Sequence, residues 1–209
     1  YLHRLVRGAA APHDAAALAP IADPVLMAFA EWLDGPARAF ISGDDVVLLL
    51  DHVDAYRQAS MAGRELVMTG PTGEDNRMRC LPRTQLAGVA ETNAAWLHQI
   101  AATLATGSRI ALAARPGLET MVNALPALVR ERVSVVADVM ASSFEVLLFD
   151  GDAALADTLR RQLADRPGPI VSLLCPSIAY DLTRLVIERT VSINTAAAGG
   201  NASLMAISN

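Results

Sequence analysis

From residue 84 onward, short uninterrupted apolar runs alternate with helix-length amphipathic stretches, and that alternation leaves few folds open to the chain. The runs at 85–90, 109–114, 133–136, 145–150 and 169–174 lack the in-out polarity of a strand with one wet face. Strands of that kind are buried on both faces. Between them lie helical stretches at about 92–105, 117–131 and 153–164, the second with Leu118, Met121, Val122, Leu125 and Val129 in phase. A helix near 178–188 then leads to 190–194, read as the last strand. Continuous strands joined by helices are βαβ crossovers, and such crossovers build parallel sheets. The expected fold is α/β, an open, doubly wound, mostly parallel Rossmann-like sheet.

The first part of the chain reads differently. Residues 8–24 are rich in Ala, Pro and Gly and suggest a linker. Asp23 then caps a helix over 24–34 that opens on Pro24, with Val25, Leu26, Phe29 and Leu33 at helical spacing. A second helix is predicted from Asp44 to Ala59, with Val47, Leu50, Val53 and Tyr56 as its apolar stripe. Two extended runs, 65–69 and 76–82, flank Gly70-Pro71-Thr72-Gly73 and predict a β-hairpin flap. The chain thus divides into a linker with N-terminal helices (1–62), the flap (63–83), the Rossmann-like domain (84–189), and a terminal strand with a small-residue tail (190–209).

Composition removes several chemistries. With 53% hydrophobic and 19% charged residues the chain is not disordered. All 17 basic residues are arginine, so neither a Schiff-base nor a P-loop lysine exists. A net charge of −5 without a basic patch excludes nucleic acid as a partner, and no apolar run reaches the roughly 20 residues of a membrane span. The chain opens on Tyr1 without an initiator Met or a signal-peptide pattern, and reads as an internal segment. Cys80 and Cys175 form no CxxC pair, as expected in a reducing compartment.

A doubly wound sheet raises the question of a dinucleotide, yet the GxGxxG fingerprint is missing. Ala90-Glu91-Thr92-Asn93 follows one strand, Arg115-Pro116-Gly117 the next, and Gly199-Gly200 precedes no helix-sized segment. Cys175 ends a strand, but a nucleophilic thiol needs a base, and His3, His13, His52 and His98 all lie far away in sequence. It is expected to be buried and structural, and His98 to play an ordinary packing or surface role. Asp152 reads as a helix N-cap rather than a metal ligand.

The C-terminal segment ERTVSINTAAAGGNASLM (188–205) resembles the terminal motif of long proline utilization A proteins. GPTGEDN (70–76) resembles their GPTGERN element, and GSRIALAA, VNALPALVRERVSV and FDGD (149–152) fit the same pattern. The match spans residues 64–207, with 1–60 matching loosely. Asp75 departs from the family's Arg, and Met205 to Asn209 departs from the expected MTIG ending.

The resemblance implies a non-catalytic C-terminal domain, built like the Rossmann domain of aldehyde dehydrogenases, on a bifunctional flavoenzyme oxidising proline to glutamate. That parent joins an FAD-dependent proline dehydrogenase to an NAD-dependent glutamate-semialdehyde dehydrogenase, is cytoplasmic, and is able to sit peripherally at the inner face of the plasma membrane. The domain itself would hold no cofactor. It would act as lid of the channelling tunnel and as a contact with the parent's other domains or in a homodimer. The contact candidates are Gly70, Pro71, Thr72, Gly73, Asn76, Arg189, Asn194, Thr195, Gly199, Gly200 and Asn201. Small residues allow such a close approach between backbones. The alternatives are a self-contained oligomerisation or small-ligand-binding module, and a degenerate aldehyde dehydrogenase fragment using Cys175.

Overall fold

A computed structural model describes residues 23–194. Helix α1 (Pro24–Asp34) starts as its cap predicts: Asp23 Oδ1 accepts from the amides of Val25 (2.8 Å) and Leu26 (3.2 Å). It buries Leu26, Phe29, Trp32 and Leu33, and a 3-10 turn at Pro36–Ala39 follows. Helix α2 (Gly43–Ala59) is capped by Ser42 and buries Val46, Leu49, His52, Val53 and Tyr56. The predicted stripe was therefore out of phase in its first half, where Val47 is exposed and Leu50 only partly buried. Five consecutive apolar residues from Val46 to Leu50 carry no phase information, so only packing selects the face.

Strands β1 (Glu65–Met68) and β2 (Glu74–Pro82) form the hairpin, and β3 (Leu86–Ala90) begins the second sheet. Next come α3 (Asn93–Ala105), β4 (Ile110–Ala113), α4 (Leu118–Ala124), α5 (Ala127–Arg130) and β5 (Val133–Val136). They are followed by β6 (Val146–Asp150), α6 (Ala153–Ala164) and β7 (Ser172–Leu174). Pro126 splits the single helix predicted over 117–131: it has no N–H to give, and Leu125 before it is extended (φ −64°, ψ 153°). All five residues expected on its inner face are nonetheless buried.

The five parallel strands lie in the order β5-β4-β3-β6-β7, so the chain works outward from β3 on one side and then returns to its other edge. Side chains alternate accordingly. Leu86, Ile110, Leu112, Val146 and Leu148 join the core built by α1, α2, α3, α4 and α5. Ala87, Leu147 and Phe149 face the opposite way, onto Ala156, Leu159 and Leu163 of α6. Helices cover both faces, and the fold is a doubly wound, Rossmann-like α/β sheet. Among the described residues no helix is long and apolar enough to cross a membrane.

The last strand differs from expectation. Strand β8 (Val186–Asn194) leaves the parallel sheet and pairs antiparallel with β2 along its whole length, giving a second sheet of order β1-β2-β8. The helix predicted near 178–188 reduces to a 3-10 turn at Leu182–Leu185, capped by Asp181. The stretch Thr190 to Asn194 alternates polar with apolar residues, and every residue of the strand after Val186 is exposed, which suits an antiparallel strand in contact with water rather than a buried parallel one.

Gly88 sits at the centre of β3, where a Cβ would come within 2.9 Å of Leu112 Cδ2 and 3.1 Å of Ile110 Cδ1. Gly88→Ala should lower the unfolding free energy by about 1–3 kcal/mol in urea denaturation. Gly43→Ala, at the first turn of α2 with its nearest neighbour at 3.5 Å, should leave it unchanged or slightly higher.

Candidate functional site

Strands β3 and β6 lie side by side, yet their following helices go to opposite faces, and a cleft of about 220 Å³ opens at their carboxyl ends. Open α/β sheets bind ligands at such switch points. The first turns of α2 contribute Asp45, Leu48, Leu49 and His52; the start of α3 contributes Glu91, Thr92, Ala94, Ala95 and His98; β6 contributes Asp150 and the turn after it Gly151. Thr92 Oγ1 accepts from the Ala95 amide at 3.1 Å, so the helix end is capped from within. The Glu91 carboxylate precedes that end, where a phosphate would need open amides and no negative charge.

Beneath the cleft runs a buried polar network. His98 stacks on His52 with ring centroids 4.3 Å apart and planes 9° from parallel. Tyr56 Oη lies 2.7 Å from His98 Nε2 and accepts from the Tyr180 amide at 2.8 Å. Its one proton is therefore available to His98 Nε2, which fits a neutral imidazole with the hydrogen on Nδ1. Tyr180 Oη donates to the Phe149 carbonyl at 3.4 Å and accepts from Gln99 Nε2 at 3.3 Å, which also donates to the Val89 carbonyl at 2.9 Å. Burial, with the neighbouring His52 adding, pushes His98 down to about 4; burial also lowers His52, against the pull of Asp51. Both phenols are raised by burial and stay protonated.

Sequence reasoning missed this pairing, because the two histidines lie on different helices. The available signal was a histidine (His52) within the apolar stripe that ends at Tyr56.

The hairpin residues gather elsewhere. Gly70, Pro71, Thr72 and Gly73 form the exposed β1–β2 turn, with Gly73 at φ 92°, where glycine is required. A Cβ on Gly70 would come within 3.2 Å of Asn76 Cγ. Asn76 sits between Met68 of β1 and Ser192 of β8, and its side chain bonds Ser192 Oγ and Glu74 Oε2. Asn194 pairs in register with Glu74, so these residues share one end of the three-stranded sheet, while Arg189 lies mid-strand opposite Arg79. Asp75, the departure from the family pattern, pairs with Arg77 at 2.9 Å; Arg77 and Arg79 together hold the Glu65 carboxyl below its ordinary range. Thr195, Gly199, Gly200 and Asn201 lie outside the described residues.

Cys175 is exposed, not buried as expected, because it stands just past the end of β7, a strand of only three residues. Its thiol is pushed up by partial burial, opposed by Arg160 and reinforced by Asp150. No imidazole among the described residues lowers it, and a catalytic thiolate needs such a partner. Cys80 is buried beneath the hairpin sheet beside Met78 and Val186.

The His98 shift ties stability to pH. An unfolded His98 takes up a proton near 6.5, a folded one only near 4, so the unfolded state binds more protons in between. Stability should be constant above that window and fall by about 3 kcal/mol as pH drops through it. Denaturant titrations from pH 7.5 to 4 check this, and His98→Gln should flatten the slope.

No family model matches the chain. It is 40% identical to the bifunctional protein PutA of Rhizobium meliloti over 220 aligned positions, covering 99% of this chain and 17% of that protein. The bifunctional protein PutA of Escherichia coli K12 is 38% identical over 157 positions, covering 73% of this chain and 12% of the relative. The chain thus spans less than a fifth of these curated relatives. A solved structure of proline utilization A with proline bound in remote sites shares the fold at TM-score 0.58 and 23% identity, over 72% of this chain and 19% of the other. An NAD+ complex of an aldehyde dehydrogenase from Bacillus cereus does so at TM-score 0.55 and 17% identity, over 72% and 37% of the two chains. With sequence identity running along nearly its whole length and this sheet beneath it, the chain belongs to the proline utilization A family, where it corresponds to the aldehyde-dehydrogenase-like C-terminal domain.

Proposed function

We propose that this chain is a non-catalytic cover and contact domain of a bifunctional protein that oxidises proline to glutamate. The supporting observation is the outer face of the hairpin sheet. In β8 only Val186 is buried, while Ile187, Val191 and Ile193 are 36–52% exposed, and Val67 on β1 is 77% exposed. Val191 and Ile193 are neighbours on that face and Val67 stands across Arg77 from Val191, so aliphatic surface lies exposed among charged side chains, which favours a partner surface. The β1 and β8 edges, unpaired within the described residues, also offer main-chain groups for strand addition.

In this reading, Gly70, Pro71, Thr72, Gly73, Asn76, Arg189 and Asn194, with the segment containing Thr195, Gly199, Gly200 and Asn201, lie against the parent's catalytic domains. The cover keeps the pyrroline-5-carboxylate intermediate from escaping. FAD and NAD belong to the parent's other domains, and a second copy of the chain would use the same edges. The chemistry around Cys175 fits a bystander. Its raised pKa leaves little thiolate at neutral pH.

Coupled turnover of proline to glutamate in the intact bifunctional protein tests the cover. Removing the residues after Asn194 keeps β8 whole, and a lag in NADH formation should appear while each half-reaction keeps its own rate. An unchanged time course would leave the domain a purely structural role. For the bystander thiol, iodoacetamide should alkylate Cys175 no faster than a free model thiol at pH 7; labelling much faster than that would revive the degenerate-enzyme reading.

A further inference from the structure

The cleft at the switch point carries the wrong charge for the anionic ligand that such folds usually hold there. Asp45, Glu91 and Asp150 all line it, and none of the three forms an ion pair among the described residues. Asp45 is partly committed, since its Oδ2 accepts from Ser42 Oγ at 2.7 Å while its amide is capped by the same hydroxyl. Glu91 and Asp150 accept no hydrogen bond among the described residues, and Glu91 lies against the Gly151 turn, where a Cβ would come within 3.1 Å of its carboxyl carbon. Arg115, which reaches the end of β3, is spent on the Ala90 carbonyl at 2.8 Å.

A second feature is independent of these carboxylates. His52 lines the cleft, is only 8% exposed, and makes stacking contacts with His98 and Tyr56 but no hydrogen bond within the described residues. Its ring nitrogens are thus left uncommitted at the cleft, and a donor entering there would find an acceptor. Leu48, Leu49, Ala94 and Ala95 supply an apolar wall on either side. At about 220 Å³ the space is smaller than the roughly 300 Å³ at which pockets for drug-sized ligands begin.

We propose that this cleft binds a small organic cation, an ammonium or guanidinium group on a short aliphatic stem. Glu91 and Asp150 are its counter-charges, the neutral His52 ring accepts from it, and the stem lies on Leu48, Leu49 and the alanines of α3. Charge-assisted hydrogen bonds of this type are shorter and stronger than neutral ones, and a guanidinium matches two carboxylates well. The inference stands apart from the cover role, because it concerns the far end of the parallel sheet and not the hairpin face.

The test is an NMR titration of the histidine ring signals in the 209-residue chain with butylguanidinium, alongside butylammonium and inorganic phosphate. The His52 and His98 signals should shift saturably in the millimolar range with the cations and not with phosphate, and the shift should weaken with added salt. Glu91→Gln with Asp150→Asn should weaken binding by about tenfold or more, as expected for lost charge-assisted bonds. Asp157→Asn, an exposed carboxylate on α6, should leave it unchanged. The same titration in the intact bifunctional protein separates the sources of the head group. Binding in both assigns the cleft to a free cation, and binding only in the shorter chain assigns it to a basic side chain of the protein itself. Absence of a saturable shift in the wild-type chain, an equal response to phosphate, or unchanged affinity in the charge-neutral variant would each overturn the proposal.

Discussion

The Tyr56 hydroxyl holds three parts of the chain in one place. It accepts the amide of Tyr180, which lies between the parallel sheet and β8, and it meets His98 at the middle of α3. Tyr56 itself ends the buried face of α2. One oxygen thus fixes the N-terminal helices, the first crossover helix of the sheet, and the connection that sends β8 out to the hairpin. Such a bond contributes only about 1 kcal/mol net, but leaving its partners buried and unpaired costs about 1–3 kcal/mol each. That asymmetry makes the junction hard to rearrange: a shift of α2 would expose an imidazole, an amide and a phenol to an apolar core at once.

Much of what surrounds the junction follows from the parallel sheet. With helices packed on both faces of β3, its residues have no solvent face, so Leu86, Ala87 and Ala90 are apolar and Gly88 leaves room for the side chain of Gln99. The reversal between β4 and β6 then forces an opening at the strand ends, because the helices after β3 and β6 depart to opposite faces. Helix α2 closes that opening from above. Its placement turns a nucleotide-type crevice into a small cleft with carboxylates on its rim and histidines on its floor.

How much of this the sequence revealed tracks how local each cause is. Asp23, Thr92 and Asp152 were legible as caps or helix starts because a cap bonds amides two or three residues away. The parallel sheet was legible because burial on both faces writes itself into every strand. The phase of α2 was not, since Val46 to Leu50 is apolar at every position. The partner of β8 was not either. Its register with β2 joins residues more than a hundred positions apart, and although the alternation from Thr190 to Asn194 marks a strand in contact with water, nothing local names the sheet it enters. The stacked His52 and His98 are the same kind of miss: each looks ordinary on its own helix, and only the packing of α2 on α3 brings them together.

The two ends of the molecule then answer different physical demands. The hairpin sheet spends its charges among themselves, Glu65 and Asp75 with Arg77 and Arg79, and leaves aliphatic side chains on the same outward strip. Its ion pairs are exposed and contribute little to stability. Such a surface, with aliphatic side chains set among its ion pairs, suits contact with another protein face. The cleft does the reverse, concentrating negative charge without internal cations in a space too small for anything but a small group. It stays open and carries one sign of charge, while the strand that completes the hairpin sheet begins only a few residues beyond Tyr180, the residue that anchors the cleft's floor. Tyr180, through its amide on Tyr56 Oη, thus ties the floor of the cleft to the segment that leads into β8.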